Sequence, residues 1–280
     1  MTAVATDTRV WDRVRPDQFA DDPMVRRLRL HALQPVGLET LIEHAALMQR
    51  VDRKYVAPLK VVRNLVNTVR DTHQVLSIDG RRYTTYRTLY FDTDNFTSAR
   101  EHIQGRRRRW KVRTRLYVED ELHRVEVKTK DNRGSTVKVM GVSHPDHYGV
   151  LDGSDRDFVA SYLSDFPQID VRGLVPAAEV RYKRATLTDL AAGTRVTIDW
   201  GLSMHMNSGD VWLDDRFAMV ETKGPLALSG VDKALHELGV RPRGFSKYVA
   251  AASTLTDGIP ANGFASLRAG GILHSHSMAV

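Results

Sequence analysis

Between residues 50 and 223 much of the chain alternates apolar and polar positions. That period of two sends successive side chains to opposite faces of a sheet. The alternating segments are Arg50–Val56, Tyr86–Asp92, Trp110–Val118, Leu122–Lys130, Thr136–Val139, Glu179–Leu187, Arg195–Trp200 and Phe217–Lys223. Most are joined by short turns, so the expected class is α+β, with an eight-stranded antiparallel sheet or barrel and flanking helices. Helical spacing occurs at Leu38–Met48, Pro58–Val69, Arg156–Leu163 and Val231–Leu238. Pro58 suits a first helical position and Gly239 a helix stop. Residues 1–35 are polar and read as an extension with a short helix around Met24–Leu33. Residues 257–280 are rich in Gly, Ser and Ala and read as a flexible tail, which leaves 36–256 as the folded unit.

The polar faces of these strands are unusual. In Trp110–Val118, Trp110, Val112, Thr114, Leu116 and Val118 share one face, and Lys111, Arg113, Arg115 and Tyr117 the other. In Leu122–Lys130, Val125, Val127 and Thr129 oppose Arg124, Glu126, Lys128 and Lys130. Arg195, Thr197 and Asp199 alternate with Val196, Ile198 and Trp200, and Glu221 with Lys223 faces away from Val220 and Thr222. Around Tyr182 charge falls on both faces, through Arg181, Lys183 and Arg184. One such face is most simply solvated. Several together, dominated by Arg and Lys, repel unless they hold an anion. Carboxylates interspersed among the cations supply the hard oxygens that Mg²⁺ or Mn²⁺ takes alongside phosphate.

Composition narrows the chemistry. The 280 residues carry 41 Lys and Arg against 34 Asp and Glu, a net charge of +7 that favours anionic partners. Cysteine is absent, which excludes disulfides and thiol chemistry. No apolar run is long enough for a membrane helix, and the first residues lack an apolar signal core, so a cytoplasmic protein is expected. Neither a Walker phosphate loop nor a G-x-S-x-G elbow occurs. His144, His147, His274 and His276 read as surface residues, Trp110, Trp200, Trp212 and Tyr55 as packing, and Asp199 as a salt-bridge partner.

The ordered motifs resemble the VTC domain, the polyphosphate polymerase domain of the vacuolar transporter chaperone complex, within the triphosphate tunnel metalloenzyme superfamily. They are DRKYVAP with Lys54, TLYFDTDN, KVRTRLY with Arg113 and Arg115, VEVKTK with Glu126 and Lys128, STVKV with Lys138, EVRYKRATL with Tyr182 and Arg184, RVTIDWGL with Arg195, VETKGP with Glu221 and Lys223, and FSKYVAA with Ser246 and Lys247. The resemblance spans roughly residues 45–252. It implies an eight-stranded tunnel in which the terminal phosphoryl group of ATP passes to a polyphosphate chain. The implied catalytic cations are Arg113, Arg115, Lys128, Arg184, Arg195 and Lys247. The implied substrate contacts are Lys54, Lys138, Lys223, Ser246 and Tyr182. Glu221, aided by Glu126, is the implied ligand of Mn²⁺ or Mg²⁺. Relatives carry a Glu ahead of the Lys in the early strand where this chain has Asp52, so either Asp52 takes that role or the role is absent. The SPX domain and membrane region that accompany the fungal enzyme do not occur in this sequence, so neither coupled export nor inositol-phosphate sensing is expected.

Other readings remain open at this level. A tunnel triphosphatase shares the same site with water as acceptor. A non-catalytic polyphosphate-binding module needs the cations only. Nucleic-acid binding through RRRRWKVRTR, with Trp110 as a stacking surface, is the rival from another class and is disfavoured.

Overall fold

A computed structural model of the chain describes residues 22–45, 51–132, 135–144 and 147–278. The secondary structure is α+β. Its strands are β1 (Gln34–Val36), β2 (Val51–Pro58), β3 (Gln74–Leu76), β4 (Thr84–Asp92), β5 (Arg109–Tyr117), β6 (Leu122–Lys130), β7 (Thr136–Val142), β8 (Val175–Asp189), β9 (Thr194–Met206), β10 (Gly209–Leu213), β11 (Phe217–Gly224) and β12 (Leu273–Ser277). The helices are α1 (Pro23–Arg27), α2 (Leu38–Ala45), α3 (Leu59–Thr68), α4 (Thr97–Ile103), α5 (Gly153–Leu163), α6 (Gly230–Glu237), α7 (Lys247–Leu255) and α8 (Ala265–Ala269). β1 pairs with β3 in parallel, and β2–β11, β9–β11, β9–β10, β10–β12, β3–β8, β4–β5, β5–β6 and β6–β7 are antiparallel. Among the described residues the ladders end at β1, β2, β7 and β12, each with a single neighbour, so the sheet is open and "barrel" describes it only loosely.

The chain divides into two compact units, and β8 and β9 contribute a part to each. The first unit comprises 1–84, 183–200 and 215–244. There β11 lies between β2 and the first half of β9. One face of these strands is apolar: Tyr55, Ala57, Val196, Ile198, Trp200, Ala218 and Val220 are buried against Leu59, Val62, Leu65 and Val66 of α3 and Val231 and Leu235 of α6. Part of the expected N-terminal extension joins this core. Val25, Leu28, Leu30 and Leu33 are buried in it, with α1 and a 3-10 turn in place of one helix over Met24–Leu33. Residues 1–21 and Arg50 lie outside the described residues, as does the end of the helix expected to reach Met48.

The second unit comprises 85–182, 201–214 and 245–280. The ladder β4–β5–β6–β7 is its frame. The apolar face of β5 and β6, with Trp110, Val112, Val125 and Val127, is buried beneath Val159 and Leu163 of α5 and beneath Phe166 and Leu174. The face carrying Arg113 and Glu126 is thereby the other one. The tail expected at 257–280 differs from the structure: Phe264, Leu267 and Leu273 are buried, and β12 pairs with β10 along five residues. A five-residue edge strand of sequence LHSHS has no helical period and too few apolar positions to stand out. Gly209 opens β10 with φ of +144°, and a Cβ there would lie 2.2 Å from the carbonyl oxygen of His276. Only glycine admits that approach.

Candidate functional site

In the second unit the register of β5, β6 and β7 aligns Arg113 with Glu126 and Lys128 with both Lys111 and Lys138. The carboxylate of Glu126 is 2% exposed and meets three cations. Arg113 donates from Nε at 2.9 Å, Arg115 Nη1 lies at 3.2 Å, and Lys138 Nζ at 3.1 Å. Burial pushes the Glu126 carboxyl up, and the charges of Arg113, Arg115 and Lys138 overcome that and hold it well below the usual carboxylate range. Burial lowers Lys138 to about 8; the pull of Glu126 is offset in part by the repulsion of Arg113 and Arg115. One carboxylate among three cations leaves two positive charges uncompensated, on side chains already oriented.

Tyrosines hold the arginines in place. Arg113 Nη1 donates to Tyr90 Oη at 2.8 Å, and Arg115 Nε to Thr88 Oγ1 at 3.2 Å. The Arg115 guanidinium lies over the Tyr86 ring, which stacks on Tyr182. Lys247 Nζ sits 3.7 Å above the Tyr182 ring, a cation–π contact that fixes an ammonium without neutralising it. Tyr90 stacks on Tyr248, whose hydroxyl donates to Asp92 Oδ2 at 2.5 Å. Asp92 also accepts from the backbone N–H groups of Ser98 and Ala99, so one buried carboxylate ties the start of α4 to α7. Lys111 Nζ donates to Ser246 Oγ at 2.9 Å. The expected residues Arg113, Arg115, Glu126, Lys138, Tyr182, Ser246 and Lys247 thus lie in one unit, with Lys128 exposed beside Lys138 on the same strand face. The sequence reading passed over Lys111, Tyr86, Tyr90, Tyr248 and Asp92. Only Lys111 carried a signal, its parity with Arg113.

The remaining expected residues belong to the first unit. Arg184 grips Asp199 through Nε at 2.6 Å and Nη2 at 2.7 Å, a bidentate pair. Asp199 is the salt-bridge partner expected of it. Arg195 donates from Nη2 to the carbonyl of Leu41 at 3.0 Å. Glu221 pairs across the ladder with Lys54, and Lys223 with Asp52. Lys223 Nζ lies 3.5 Å from Glu221 and 4.0 Å from Asp52. These two carboxylates share a strand face and offer hard oxygens, a donor set that suits Mg²⁺ or Mn²⁺. Glu126, expected as the helper ligand, is surrounded by guanidinium and ammonium groups, and that environment opposes a further cation. Elsewhere His147, Asp152 and Asp155 cluster within reach of one ion. Their oxygens serve local structure: Asp152 caps α5 by accepting from the Asp155 N–H, and Asp155 accepts from Ser143.

The model of the VTC domain family matches residues 49–256, most of the chain. The protein belongs to that family. Among curated proteins no relative matches the chain. Solved structures show distant likeness. A candidate adenylate cyclase of Bacillus halodurans aligns at 13% identity over 71% of this chain and 96% of that one, with a TM-score of 0.44. A candidate adenylyl cyclase from Hippeastrum, described as having a dominant triphosphatase activity, aligns at 13% identity over 76% and 99%, with a TM-score of 0.48. Likenesses this remote carry no function to this VTC-domain chain. Among the described residues no helix is long and apolar enough to cross a membrane.

Proposed function

We propose that this VTC-domain protein is a metal-dependent phosphotransferase that moves the terminal phosphoryl group of ATP onto a polyphosphate chain. The observation that carries the reading is the buried Glu126 carboxylate held among Arg113, Arg115 and Lys138, an excess of oriented cations in a chain of this family. Phosphoryl transfer asks chiefly for alignment and for neutralisation of phosphate charge. Arg113 and Arg115 supply planar forks that bond two oxygens at once. Lys138, Lys128 and Lys247 supply point charges. Within the first unit, Arg184, Arg195, Lys54 and Lys223 are further phosphate-binding cations in this reading. Glu126 keeps its arginines aimed. Asp52 and Glu221 would hold the divalent ion, which when bound polarises phosphate oxygens.

The step balances without a general base. An anionic terminal oxygen of the acceptor attacks the γ-phosphorus, the bond from that phosphorus to the β,γ-bridging oxygen breaks, and ADP leaves. Water in place of the acceptor makes the same site a triphosphatase. Incubation with ATP and Mn²⁺ separates the readings: polyphosphate and ADP are expected, whereas free phosphate alone makes the protein a triphosphatase. Neither product would remove the enzymatic reading.

A further inference from the structure

The four arginines 106–109 follow Gly105, whose φ of +67° ends α4 and turns the chain into β5. The turn borders a cavity of about 580 Å³ lined by Arg100, Arg106, Arg107 and Arg108 with Asn95, Gln104 and Asn132. Among the described residues no carboxylate forms an ion pair with Arg106, Arg107 or Arg108. The Arg106 side chain donates to Gln104 Oε1, and the Arg108 guanidinium lies over the Phe166 ring. Arg100, by contrast, is committed to the carbonyls of Asn95 and Gly258. Glu101 also lines the cavity; burial raises its carboxyl while the charges of Arg106 and Arg108 pull it back, so it offsets those two guanidiniums in part. Four guanidiniums against one carboxylate, with Arg107 exposed and amides alongside, keep a positive excess that is suited to phosphate oxygens.

Arg108, which lines the cavity, directly precedes Arg109, the first residue of β5. Arg109, Lys111, Arg113 and Arg115 occupy one face of β5, and across the ladder Arg109 faces Lys130 and Lys111 faces Lys128. Arg113 lies four positions along the strand from Arg109, about 13 Å at roughly 3.3 Å per residue. A cationic stripe therefore runs within the second unit from Glu126 and its arginines to the α4–β5 turn. A triphosphate is too short to use both ends of it, whereas a linear polyanion has repeating charge along its length.

We infer that the α4–β5 cavity is a second phosphate-binding subsite, one that holds the distal part of a linear polyphosphate whose end lies at Arg113 and Arg115. This rests on the proposed function and adds to it a preference for long chains. Nucleic acid is the rival polyanion, but among the described residues no aromatic ring lines the cavity for base stacking, and the nearby Phe166 is covered by Arg108.

The test compares binding of tripolyphosphate, long-chain polyphosphate and single-stranded DNA to the full chain at several salt concentrations. In the Arg106→Gln/Arg107→Gln/Arg108→Gln variant, long-chain affinity should fall about tenfold or more and its salt dependence should flatten. Tripolyphosphate affinity should stay within about twofold of the parent. The single Arg107→Gln change, at an exposed side chain, should shift long-chain affinity in the same direction and guards against misfolding of the triple variant. Unchanged long-chain binding in both variants, or DNA binding tighter than polyphosphate, overturns the inference and leaves the proposed function standing. Conversely, if Arg113→Ala spares tripolyphosphate binding while the triple change still weakens long chains, the subsite stands and the proposed phosphotransfer site falls.

Discussion

At the scale of single residues, the charge arithmetic around Glu126 decides most of what can be measured. Arg113 offers two donors to Glu126 and one to Tyr90, so Arg113→Ala removes a pre-aimed guanidinium and not a mobile surface charge. Tripolyphosphate affinity should fall by about 2 kcal/mol, roughly thirtyfold, as measured by calorimetry. Arg113→Lys should recover only part of it, because an ammonium lacks the planar fork. Lys138 gives a pH signature. Burial lowers it to about 8, so it carries its proton below that pH and loses it above. Tripolyphosphate affinity should therefore decline as pH rises from 7 to 9, by about fivefold for one partly exposed charge pair of about 1 kcal/mol. Lys138→Arg should flatten that profile. An identical decline in Lys138→Arg would assign the titration elsewhere.

At the scale of elements, buried carboxylates act as joints. Asp92 accepts from the N–H groups at the start of α4 and from Tyr248 of α7. Asp232, fully buried, accepts from Tyr55 of β2, Thr222 of β11 and the Ser229 cap of α6. Each ties segments within ten residues of it to one more than 150 residues away. Asp92→Ala strands several donors and should lower unfolding free energy by about 2–4 kcal/mol in a urea titration. A loss below about 1 kcal/mol would mean that water replaces the carboxylate readily. The same scale shows how much of the fold could be read from the chain. β6 was expected at Leu122–Lys130 and is found there. β5, β8 and β9 differ from expectation only in their ends. In β5 and β6 the alternation is strong because one face is buried under helices and the other is charged, whereas β8 carries charge on both faces around Tyr182. β1, β3, β10 and β12 escaped because segments of three to five residues hold too few alternations to exceed chance, and their pairing is set by partners elsewhere in the chain.

At the scale of the whole molecule, acid stability and metal dependence are the accessible readouts. Glu126 lies below the usual carboxylate range, and Glu179, buried but bonded by Arg181, Tyr148 and Arg87, is held at about 2. Groups depressed in this way stabilise the fold above their ordinary values and lose that contribution as pH falls through the folded ones. Asp92 is raised by burial and works in the opposite sense. The depressed groups should dominate, giving a thermal midpoint that drops steeply between about pH 4 and 2. Glu179→Gln should soften the drop. A midpoint flat to pH 2 would contradict the assignment. Turnover, in turn, should require Mn²⁺ or Mg²⁺ and vanish in Glu221→Ala. Near-normal turnover in that variant would move the ion away from Asp52 and Glu221.

The chain alone determined which strand faces are cationic, because parity along a strand is a local property that needs no knowledge of the partner. It also carried the ordered motifs that mark a VTC domain. Tertiary structure decided which carboxylate serves which purpose. Glu126 and Glu221 look alike in sequence, each two residues before a lysine on the same strand face. Cross-strand register gives Glu126 two arginines and a lysine, and gives Glu221 a facing lysine with Asp52 on the same face. A carboxylate's role is set by the charges within a few ångströms of it, and those come from segments far away along the chain.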